Sequence, residues 1–375
     1  MKKTILLASF VVCLFTANSV FAGRMWYYSD VLSPSGQYIT SAGSAIGMRS
    51  DGTWPVVAYS NSSTANGVAV MLPGSWTGRT STFVGQPQLL DGATAPDGTV
   101  GFVDSYGDVV TLNKNGWGGG YVSSSTSSQY KNSIAFNNDS APAVLYKSFN
   151  NNYLALSMKS GSDWVSSTVQ TSSGSARTSN YYALDFDSYN QANIAYQYNG
   201  KLAYGVKGIM TSSQWQLAES ETAPTVYGAM DMALSNNDIP FVVYLSNSST
   251  LSYATYDRIT ASWISGILDS AMIGSPAGNF TVAADENGGI GVAYVAYNTL
   301  KYAYNDGSGW SLPETLVAAQ SNYSVGLTFD YENNPVISYM DQATGRLKLA
   351  YDPYVVPEPA TMAIFALGLA LIRRK

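Results

Sequence analysis

Short apolar runs alternate with polar turns along most of this chain, and the pattern repeats about every 47 residues. The runs are rich in β-branched, aromatic and small residues, which favours strands over helices. Tryptophan marks the repeat, because seven of the eight recur at intervals of 41 to 51 residues: Trp26, Trp76, Trp117, Trp164, Trp215, Trp263 and Trp310. Trp54 falls outside the series. Repeats of this length are typical of solenoids and propellers.

A second marker, tyrosine in six units and valine in one, runs in step with the tryptophans: Tyr59, Val103, Tyr146, Tyr196, Tyr244, Tyr294 and Tyr339. Nine residues before each marker stands a residue whose side chain can bond the backbone of a turn: Ser50, Thr94, Asn137, Asp187, Ser235, Asp285 and Asp330. Proline then opens the next run at Pro55, Pro142, Pro240 and Pro335, where a missing N–H does least harm. Each unit therefore begins with two strands joined by a tight hairpin.

The copy from Phe280 to Val317 shows the whole unit. It predicts strands over 280–284, 290–294 and 300–304, with polar turns between them and a fourth strand beginning at Trp310. Helical periodicity is absent from the central region. Four strands in 40 to 50 residues are typical of a propeller blade.

The number of blades follows from the length of the repeated region. Residues 23–352 make up 330 residues, which at about 47 per unit predicts an all-β, seven-bladed β-propeller. The last unit ends after its third strand, while the region begins with an unpaired run at Trp26. We expect this N-terminal strand to complete the last blade and remove the exposed edges of the ring. A ring of six or eight blades, or two separate sheets, remain the alternatives.

Residues 1–22 have the plan of a secretory signal peptide. Lys2 and Lys3 precede an apolar run, and small residues before Gly23 predict cleavage by signal peptidase between Ala22 and Gly23. An uncleaved membrane helix is the weaker alternative, because the run is shorter than the roughly 20 residues that span a bilayer. Cleavage would remove Cys13, the single cysteine.

Residues 353–375 form a distinct tail. Val356, Pro357, Glu358 and Pro359 precede an apolar segment at 360–372 and a basic cluster of Arg373, Arg374 and Lys375. The two prolines keep the motif extended and accessible, and the basic cluster would stay on the cytoplasmic side of the membrane. Thirteen residues rise only about 20 Å as a helix, so snorkelling and local thinning would have to complete the span.

This order of parts resembles the PEP-CTERM sorting signal. The resemblance implies transient anchoring in the inner membrane and processing by an exosortase-type protease. It also implies an exported, cell-surface or matrix destination in a Gram-negative bacterium that forms biofilm or exopolysaccharide. Retention of the tail as a permanent anchor is the alternative.

Composition excludes several kinds of chemistry. The chain has no histidine, so with Cys13 removed a Ser-His-Asp triad, a Cys-His pair and a His- or Cys-ligated zinc are ruled out. The two ends hold five of the 19 basic residues and one of the 25 acidic residues, which leaves a net charge of about −10 between them. Such a charge makes a nucleic acid an unfavourable partner.

Carboxylates remain as candidate catalysts. Asp91, Asp185 and Asp231 fall on or near predicted innermost strands, but they stand at different positions relative to the tyrosine marker, so the sequence does not predict that they meet. A glycoside hydrolase or lyase is therefore the alternative to a non-enzymatic protein. The turn at 306–310 is a little like the Asp-box hairpins of sialidases, and we interpret it as structural.

No cofactor is expected. The acidic turns at 185–193 and 330–334 are the candidates for calcium, although neither has the ligand spacing of a known calcium loop. The loops at 60–67, 147–153 and 245–250 are rich in Ser, Asn, Thr and Tyr, which suits recognition of a polysaccharide or a surface protein. We therefore predict an exported, non-enzymatic binding protein with no catalytic and no metal-binding residues.

Overall fold

The computed structural model describes residues 26–33, 36–40, 42–49, 55–61, 67–72, 75–80, 90–122, 130–148, 153–169, 180–207, 215–220, 222–270, 279–320 and 323–351. These residues form 28 strands in seven antiparallel sheets of four strands each. Each sheet is one blade, and blades 1 to 7 follow the order of the chain. The seven-bladed propeller predicted from the sequence is confirmed.

The strands of a blade run from the centre of the ring to its rim. The innermost strands of blades 1 to 7 are β2 (Ala42–Met48), β6 (Asp91–Thr94), β10 (Ser133–Phe136), β14 (Tyr182–Phe186), β18 (Met230–Leu234), β22 (Phe280–Ala284) and β26 (Gly326–Phe329). The second strands are β3 (Pro55–Asn61), β7 (Val100–Val103), β11 (Pro142–Lys147), β15 (Ala192–Tyr198), β19 (Pro240–Asn247), β23 (Ile290–Ala296) and β27 (Pro335–Met340).

The outer half of each blade is built in the same way. The third strands are β4 (Gly67–Leu72), β8 (Asp108–Asn113), β12 (Leu154–Ser160), β16 (Lys201–Lys207), β20 (Thr250–Asp257), β24 (Thr299–Asn305) and β28 (Leu347–Tyr351). The outermost strands are β5 (Ser75–Thr80), β9 (Gly116–Tyr121), β13 (Asp163–Thr168), β17 (Gln216–Ala218), β21 (Ser262–Asp269), β25 (Glu314–Ala318) and, in blade 7, β1 (Tyr27–Asp30). Six of the repeat tryptophans stand in these outermost strands or directly before them, as predicted. Trp310 lies four residues before β25, so the prediction that the fourth strand of its blade begins at Trp310 is wrong by four residues.

The ring is closed by the N-terminal strand, as predicted. Each innermost strand contacts the next one around the ring, and β26 contacts β2. Strand β1 pairs with β28 in antiparallel register, with Tyr27 opposite Tyr351. Just before β1, Trp26 reaches into blade 6: its Nε1 donates to Oε2 of Glu314 at 2.9 Å, and its ring packs edge-on against Tyr302. The first strand therefore joins blades 6 and 7.

Seven hydrophobic clusters, one between each pair of neighbouring blades, form the core. The seven marker residues of the repeat all lie in these clusters, and each is at most 3% exposed: Tyr59, Val103, Tyr146, Tyr196, Tyr244, Tyr294 and Tyr339. The leucines of the third strands are fully buried as well: Leu154, Leu202, Leu251, Leu300 and Leu347. Most aromatic residues of the repeat therefore pack the blades together.

The up-and-down order of the strands gives the ring two faces. Hairpins that join first to second and third to fourth strands lie on one face, which we call the turn face. Hairpins that join second to third strands lie on the opposite face, together with the segments that lead from one blade to the next. We call this the connection face.

The hairpins between first and second strands share one geometry in blades 2 to 7. Each of these hairpins has five residues. The N–H of the first residue donates to the carbonyl oxygen of the fifth, and the N–H of the fourth donates to the carbonyl oxygen of the first. The fourth residue has a left-handed backbone in every case: Gly98, Ser140, Asn190, Asp238, Gly288 and Asn333. This is the three-residue hairpin that ends in a left-handed position. The predicted side-chain bonds to the turn are present at Asn137, Asp187, Ser235, Asp285 and Asp330.

Blade 2 departs from the predicted register by one residue. Thr94 is the last residue of β6, and its Oγ1 accepts the N–H of Met48 in blade 1 at 3.0 Å. The hairpin begins at Ala95, which cannot bond its own turn, and Oδ1 of Asp97 accepts the N–H of Thr99 instead. The residue equivalent to the tyrosine marker is therefore Asp104, and the assignments of Thr94 and Val103 are wrong. Ser50 lies outside the described residues.

Candidate functional site

The central channel brings together the three aspartates that the sequence left apart. Asp91, Asp185 and Asp231 come from the innermost strands of blades 2, 4 and 5 and line one cavity of about 220 Å³. With the register of blade 2 corrected, Asp91 and Asp231 stand four residues before the first hairpin residue of their blades. The sequence gives no sign that the three converge; the structure brings them together because two of them occupy equivalent positions and the closed ring joins them to the third.

Lys131, just before β10, joins two of these carboxylates. Its Nζ lies 3.0 Å from Oδ1 of Asp91 and 3.9 Å from Oδ2 of Asp231. Since both oxygens contact the same nitrogen, they are at most about 7 Å apart. Blades 2, 3 and 5 are thus linked across the channel by one ammonium group.

Each carboxylate also accepts a backbone N–H from the innermost strand of the next blade. Oδ2 of Asp91 accepts from Ile134 at 3.0 Å, Oδ2 of Asp185 from Leu234 at 2.8 Å, and Oδ2 of Asp231 from Val282 at 3.1 Å. An innermost strand is a sheet edge with unpaired N–H groups, which are costly to bury without a partner. These aspartates supply the partner, so they help to hold neighbouring blades in register.

Burial and charge set the protonation of the channel. Burial raises the pKa of Asp185 to about 6, against two backbone hydrogen bonds that lower it. Burial also raises the pKa of Asp231, and Lys131 opposes this effect. For Lys131, burial would lower the pKa, but Asp231 and Asp91 hold it above the ordinary value of lysine. The channel therefore contains one ammonium ion among three acids, of which Asp185 is partly exposed to the cavity.

On the turn face, hydrogen bonds from polar side chains link the hairpins of neighbouring blades. Oδ1 of Asn190 accepts the N–H of Asn138 in the preceding blade at 2.9 Å, and Oδ1 of Asp238 accepts the N–H of Ser188 at 2.7 Å. Equivalent contacts join blades 2 and 3 through Ser140, and blades 6 and 7 through Asn333. In blades 3, 4, 5 and 7 the left-handed residue of the hairpin is therefore the acceptor of an inter-blade belt.

Blades 5 and 6 complete this part of the belt in a different way. Nδ2 of Asn236 donates to the carbonyl of Asn287 at 2.8 Å, and its side chain fills the space beside Gly288. A Cβ at Gly288 would lie 2.2 Å from Oδ1 of Asn236. Glycine is required here because the neighbouring blade supplies the polar group.

The connection face carries a cluster of tyrosines immediately before three innermost strands. Tyr130, Tyr181 and Tyr227 precede β10, β14 and β18, and we call them the tyrosine platform. Burial raises the pKa of Tyr181, and the Tyr130 and Tyr227 hydroxyls raise it further, so both interact with Tyr181 electrostatically. The ring of Tyr227 is 56% exposed. The platform therefore spans blades 3, 4 and 5 beside the channel.

Two of the predicted recognition loops adjoin this platform. Nζ of Lys147 lies 4.5 Å from the ring centre of Tyr130 and donates to Oδ1 of Asn180 at 2.6 Å. The carbonyl of Leu245, at the start of the loop 245–250, accepts the N–H of Tyr227 at 2.8 Å. Residues 149–152 of the loop 147–153 and residues 62–66 of the loop 60–67 lie outside the described residues.

Sequence reasoning missed Lys131 and the platform. All four residues lie two to four positions before the innermost strands begin to line the channel. Their shared placement in the segments that enter the innermost strands was the signal available in the sequence, because all such segments lie on one face of a propeller.

The candidate calcium turns bond to their own backbone. Oδ1 of Asp187 accepts the N–H groups of Tyr189 and Gln191, and Oδ1 of Asp330 accepts those of Glu332 and Asn334. Within the described ranges, no group of three or more acidic, histidine or cysteine side chains has the arrangement of a metal site. In the turn at 306–310, Oδ1 of Asp306 accepts the backbone and hydroxyl of Ser308, which agrees with a structural role.

Solved structures of similar fold place the chain among β-propellers. One is a catalytically inactive histidine-to-alanine variant of virginiamycin B lyase from Staphylococcus aureus with quinupristin. It is 14% identical, with a TM-score of 0.56, covering 87% of this chain and 99% of that one. A fucose-specific lectin from Aleuria aurantia is 16% identical, with a TM-score of 0.51, covering 76% and 100%. YCF48 bound to D1 peptide is 11% identical, with a TM-score of 0.53, covering 88% and 96%.

At such identities the likeness shows the fold alone, a β-propeller, and the number of seven blades comes from the sheets of this chain. Comparison with curated protein sequences finds no significant match. Residues 355–375 match the PEP-CTERM protein-sorting motif. The chain is therefore an exported propeller that passes through the cell envelope and is processed by an exosortase.

The two ends lie outside the described residues. These include the signal peptide with its cleavage site at Ala22 and Gly23, the membrane segment at 360–372, and the tail residues Val356, Pro357, Glu358, Pro359, Arg373, Arg374 and Lys375. Their individual roles stay predictions. In the part of the chain that is described, no helix has the length and apolarity that crossing a membrane requires.

Proposed function

We propose that this protein is a non-enzymatic, polysaccharide-binding protein of the cell surface or extracellular matrix in a biofilm-forming Gram-negative bacterium. The observation that carries the proposal is the tyrosine platform, where a tyrosine stands before the innermost strand of each of three successive blades, all on one face. Tyr227 is largely exposed in this cluster, so the core does not account for its presence.

The platform has the chemistry that a sugar chain needs. Tyrosine rings offer apolar surfaces for the C–H faces of pyranose rings, and their hydroxyls can both donate and accept hydrogen bonds. Lys147 and Asn180 add donors at the edge of the platform. A track across three blades suits an extended polymer better than a single small sugar.

A matched pair of tyrosine variants tests the proposal. Full-length protein is applied to an immobilised panel of neutral and uronic-acid polysaccharides, with Tyr227→Ala on the connection face and Tyr189→Ala on the turn face. Tyr189 is 74% exposed, so both changes remove one exposed ring. We expect Tyr227→Ala to weaken binding about tenfold and Tyr189→Ala to leave it unchanged. A blank panel, or equal binding by both variants, would refute the proposal.

A carboxylate-dependent glycoside hydrolase or lyase is the second candidate. The observation that favours it is the pair Asp91 and Asp231, whose separation of at most about 7 Å suits two catalytic acids. The observation that disfavours it is Lys131, which occupies the space between them. Incubation with the same polysaccharides tests this candidate. We expect no release of reducing ends or unsaturated products; turnover by the wild type that disappears in Asp231→Asn would establish the enzyme.

A further inference from the structure

The channel widens at the turn face into a second cavity. This mouth has a volume of about 570 Å³ and continues from the inner channel, since Phe136, Asp185 and Phe329 line both. A volume of this size is typical of sites for small molecules. The hairpin belt runs along the rim from blade 2 to blade 7, so this part of the rim is held by hydrogen bonds between blades.

Aromatic rings line this mouth on two sides. Phe136, Phe186 and Phe329 are the last residues of the innermost strands in blades 3, 4 and 7. The equivalent residues in the other blades are not aromatic: Met48, Thr94, Leu234 and Ala284. The hydroxyphenyl ring of Tyr331 extends this lining to the rim, where it is 54% exposed. A structural role common to all blades therefore does not explain these rings, although Phe136 and Phe186 also pack in the core, where they are 7% and 8% exposed.

The mouth is also acidic. Four carboxylates line it, against one basic residue, Arg49. Two of the four, Asp285 and Asp330, are buried and hold the backbone of their own hairpins. Asp185 is partly exposed at the floor, where the mouth meets the inner channel, and Glu286 is exposed at the rim. Negative charge thus lies at both the top and the bottom of an aromatic-lined cavity.

We infer that the channel mouth binds an organic cation, an alkylammonium or amino group held against the rings of Phe136, Phe186 and Phe329 between Asp185 and Glu286. The faces of aromatic rings attract cations, and the attraction grows where water is excluded. The carboxylates supply the opposite charge, and the apolar walls accommodate the carbon substituents of the ligand. This site lies on the face opposite the tyrosine platform and stands independently of the proposed function.

The probes are two pairs that differ mainly in charge. Choline is compared with 3,3-dimethylbutan-1-ol, its neutral isostere, and glucosamine with N-acetylglucosamine, all titrated into the full-length protein by calorimetry at low salt. We expect saturable millimolar binding of choline, at least tenfold weaker binding of the neutral isostere, and a preference for glucosamine over its acetylated form. Equal binding within each pair, or no binding of either cation, would overturn the inference.

Variants locate the site. We expect Phe329→Leu and Glu286→Gln each to weaken choline binding about three- to tenfold, whereas Asp139→Asn should change it less than twofold. Asp139 provides the control because it is an exposed acid of another turn-face hairpin that does not line the mouth. Equal losses in Glu286→Gln and Asp139→Asn would reduce the effect to general surface charge and contradict a site at the mouth. Tyr227→Ala should leave choline binding intact, which separates this inference from the polysaccharide proposal.

Discussion

The two faces of the ring use polar residues in different ways. On the turn face, the six described hairpins between first and second strands hold eight acidic residues and no basic ones. Six of these side chains bond to their own turns or to a neighbouring blade: Asp97, Asp139, Asp187, Asp238, Asp285 and Asp330. On the connection face, the segments before the innermost strands carry Tyr130, Lys131, Tyr181 and Tyr227, which share no single position in the repeat.

The difference indicates which residues the fold needs. A residue type that recurs at one position in nearly every blade has a role that every blade shares, such as ending a hairpin or packing the core. A residue that stands outside the repeat has no such role. By this criterion the turn-face acids belong mainly to the scaffold, whereas the tyrosine platform and the phenylalanines of the channel mouth are available for binding.

The comparison assumes that both faces belong to one closed ring, and removal of β1 tests this assumption with the largest expected effect. A chain that begins at Val31 loses the outermost strand of blade 7 and the contacts of Trp26 with Glu314 and Tyr302. We expect the free energy of unfolding to fall by about 3–5 kcal/mol, the cost of deleting a fully buried tryptophan side chain, because the chain loses a whole strand together with the half-buried ring of Trp26. The measurement is urea denaturation, with a chain that begins at Trp26 as the control. Equal midpoints would exclude closure by this strand.

The channel cluster gives the next largest effect. Lys131→Met would leave Asp91 and Asp231 buried without their cation, and we expect a loss of about 3–5 kcal/mol at pH 7. Lys201→Met, which removes a lysine bonded only to a threonine hydroxyl, should cost less than about 0.5 kcal/mol.

The same variant has a predicted pH dependence. Without Lys131, the pKa of Asp231 rises further, so the folded state binds protons more tightly than the unfolded state, in which an aspartate has a pKa of about 3.9. The variant should therefore regain stability relative to the wild type as the pH falls from 7 towards 4. A deficit that stays constant over this range in urea titrations would show that lost packing, rather than unpaired charge, is the cause.

The smallest effect compares one glycine on each face. Gly288 and Gly200 both have a left-handed backbone, with φ of +84° and +74°, but only Gly288 has the side chain of Asn236 against it. Gly200→Ala should cost about 1 kcal/mol from backbone strain alone. Gly288→Ala should cost about 1 kcal/mol more, because it also breaks the bond from Asn236 to Asn287. Equal melting temperatures for the two variants would show that the belt contributes nothing at this position.

The sequence predicts the features that repeat. The spacing of tryptophans and tyrosines defines the number of blades, and the missing fourth strand of the last unit indicates closure at Trp26. In blade 2, Asp104 occupies the position of the tyrosine marker. The prediction placed the marker at the adjacent Val103 and is therefore wrong by one residue. That error also concealed the equivalence of Asp91 and Asp231.

The candidate sites could not be predicted in the same way. Asp91 and Asp231 are 140 residues apart in the chain, and only the closed ring brings both to Lys131. The platform likewise depends on the angle between neighbouring blades, which places Tyr130 and Tyr227 on either side of Tyr181. Such contacts have no local pattern, since each blade contributes one residue.

Footprinting of a bound polysaccharide tests the central claim most directly, namely that the connection face recognises the ligand and the turn-face hairpins form the scaffold. The full-length protein is mixed with the polysaccharide that binds best in the panel, and protection from hydroxyl-radical oxidation is read by mass spectrometry. We predict protection of Tyr130, Tyr181 and Tyr227 and unchanged oxidation of Tyr189. Protection of Tyr189 without protection of the platform would contradict the account.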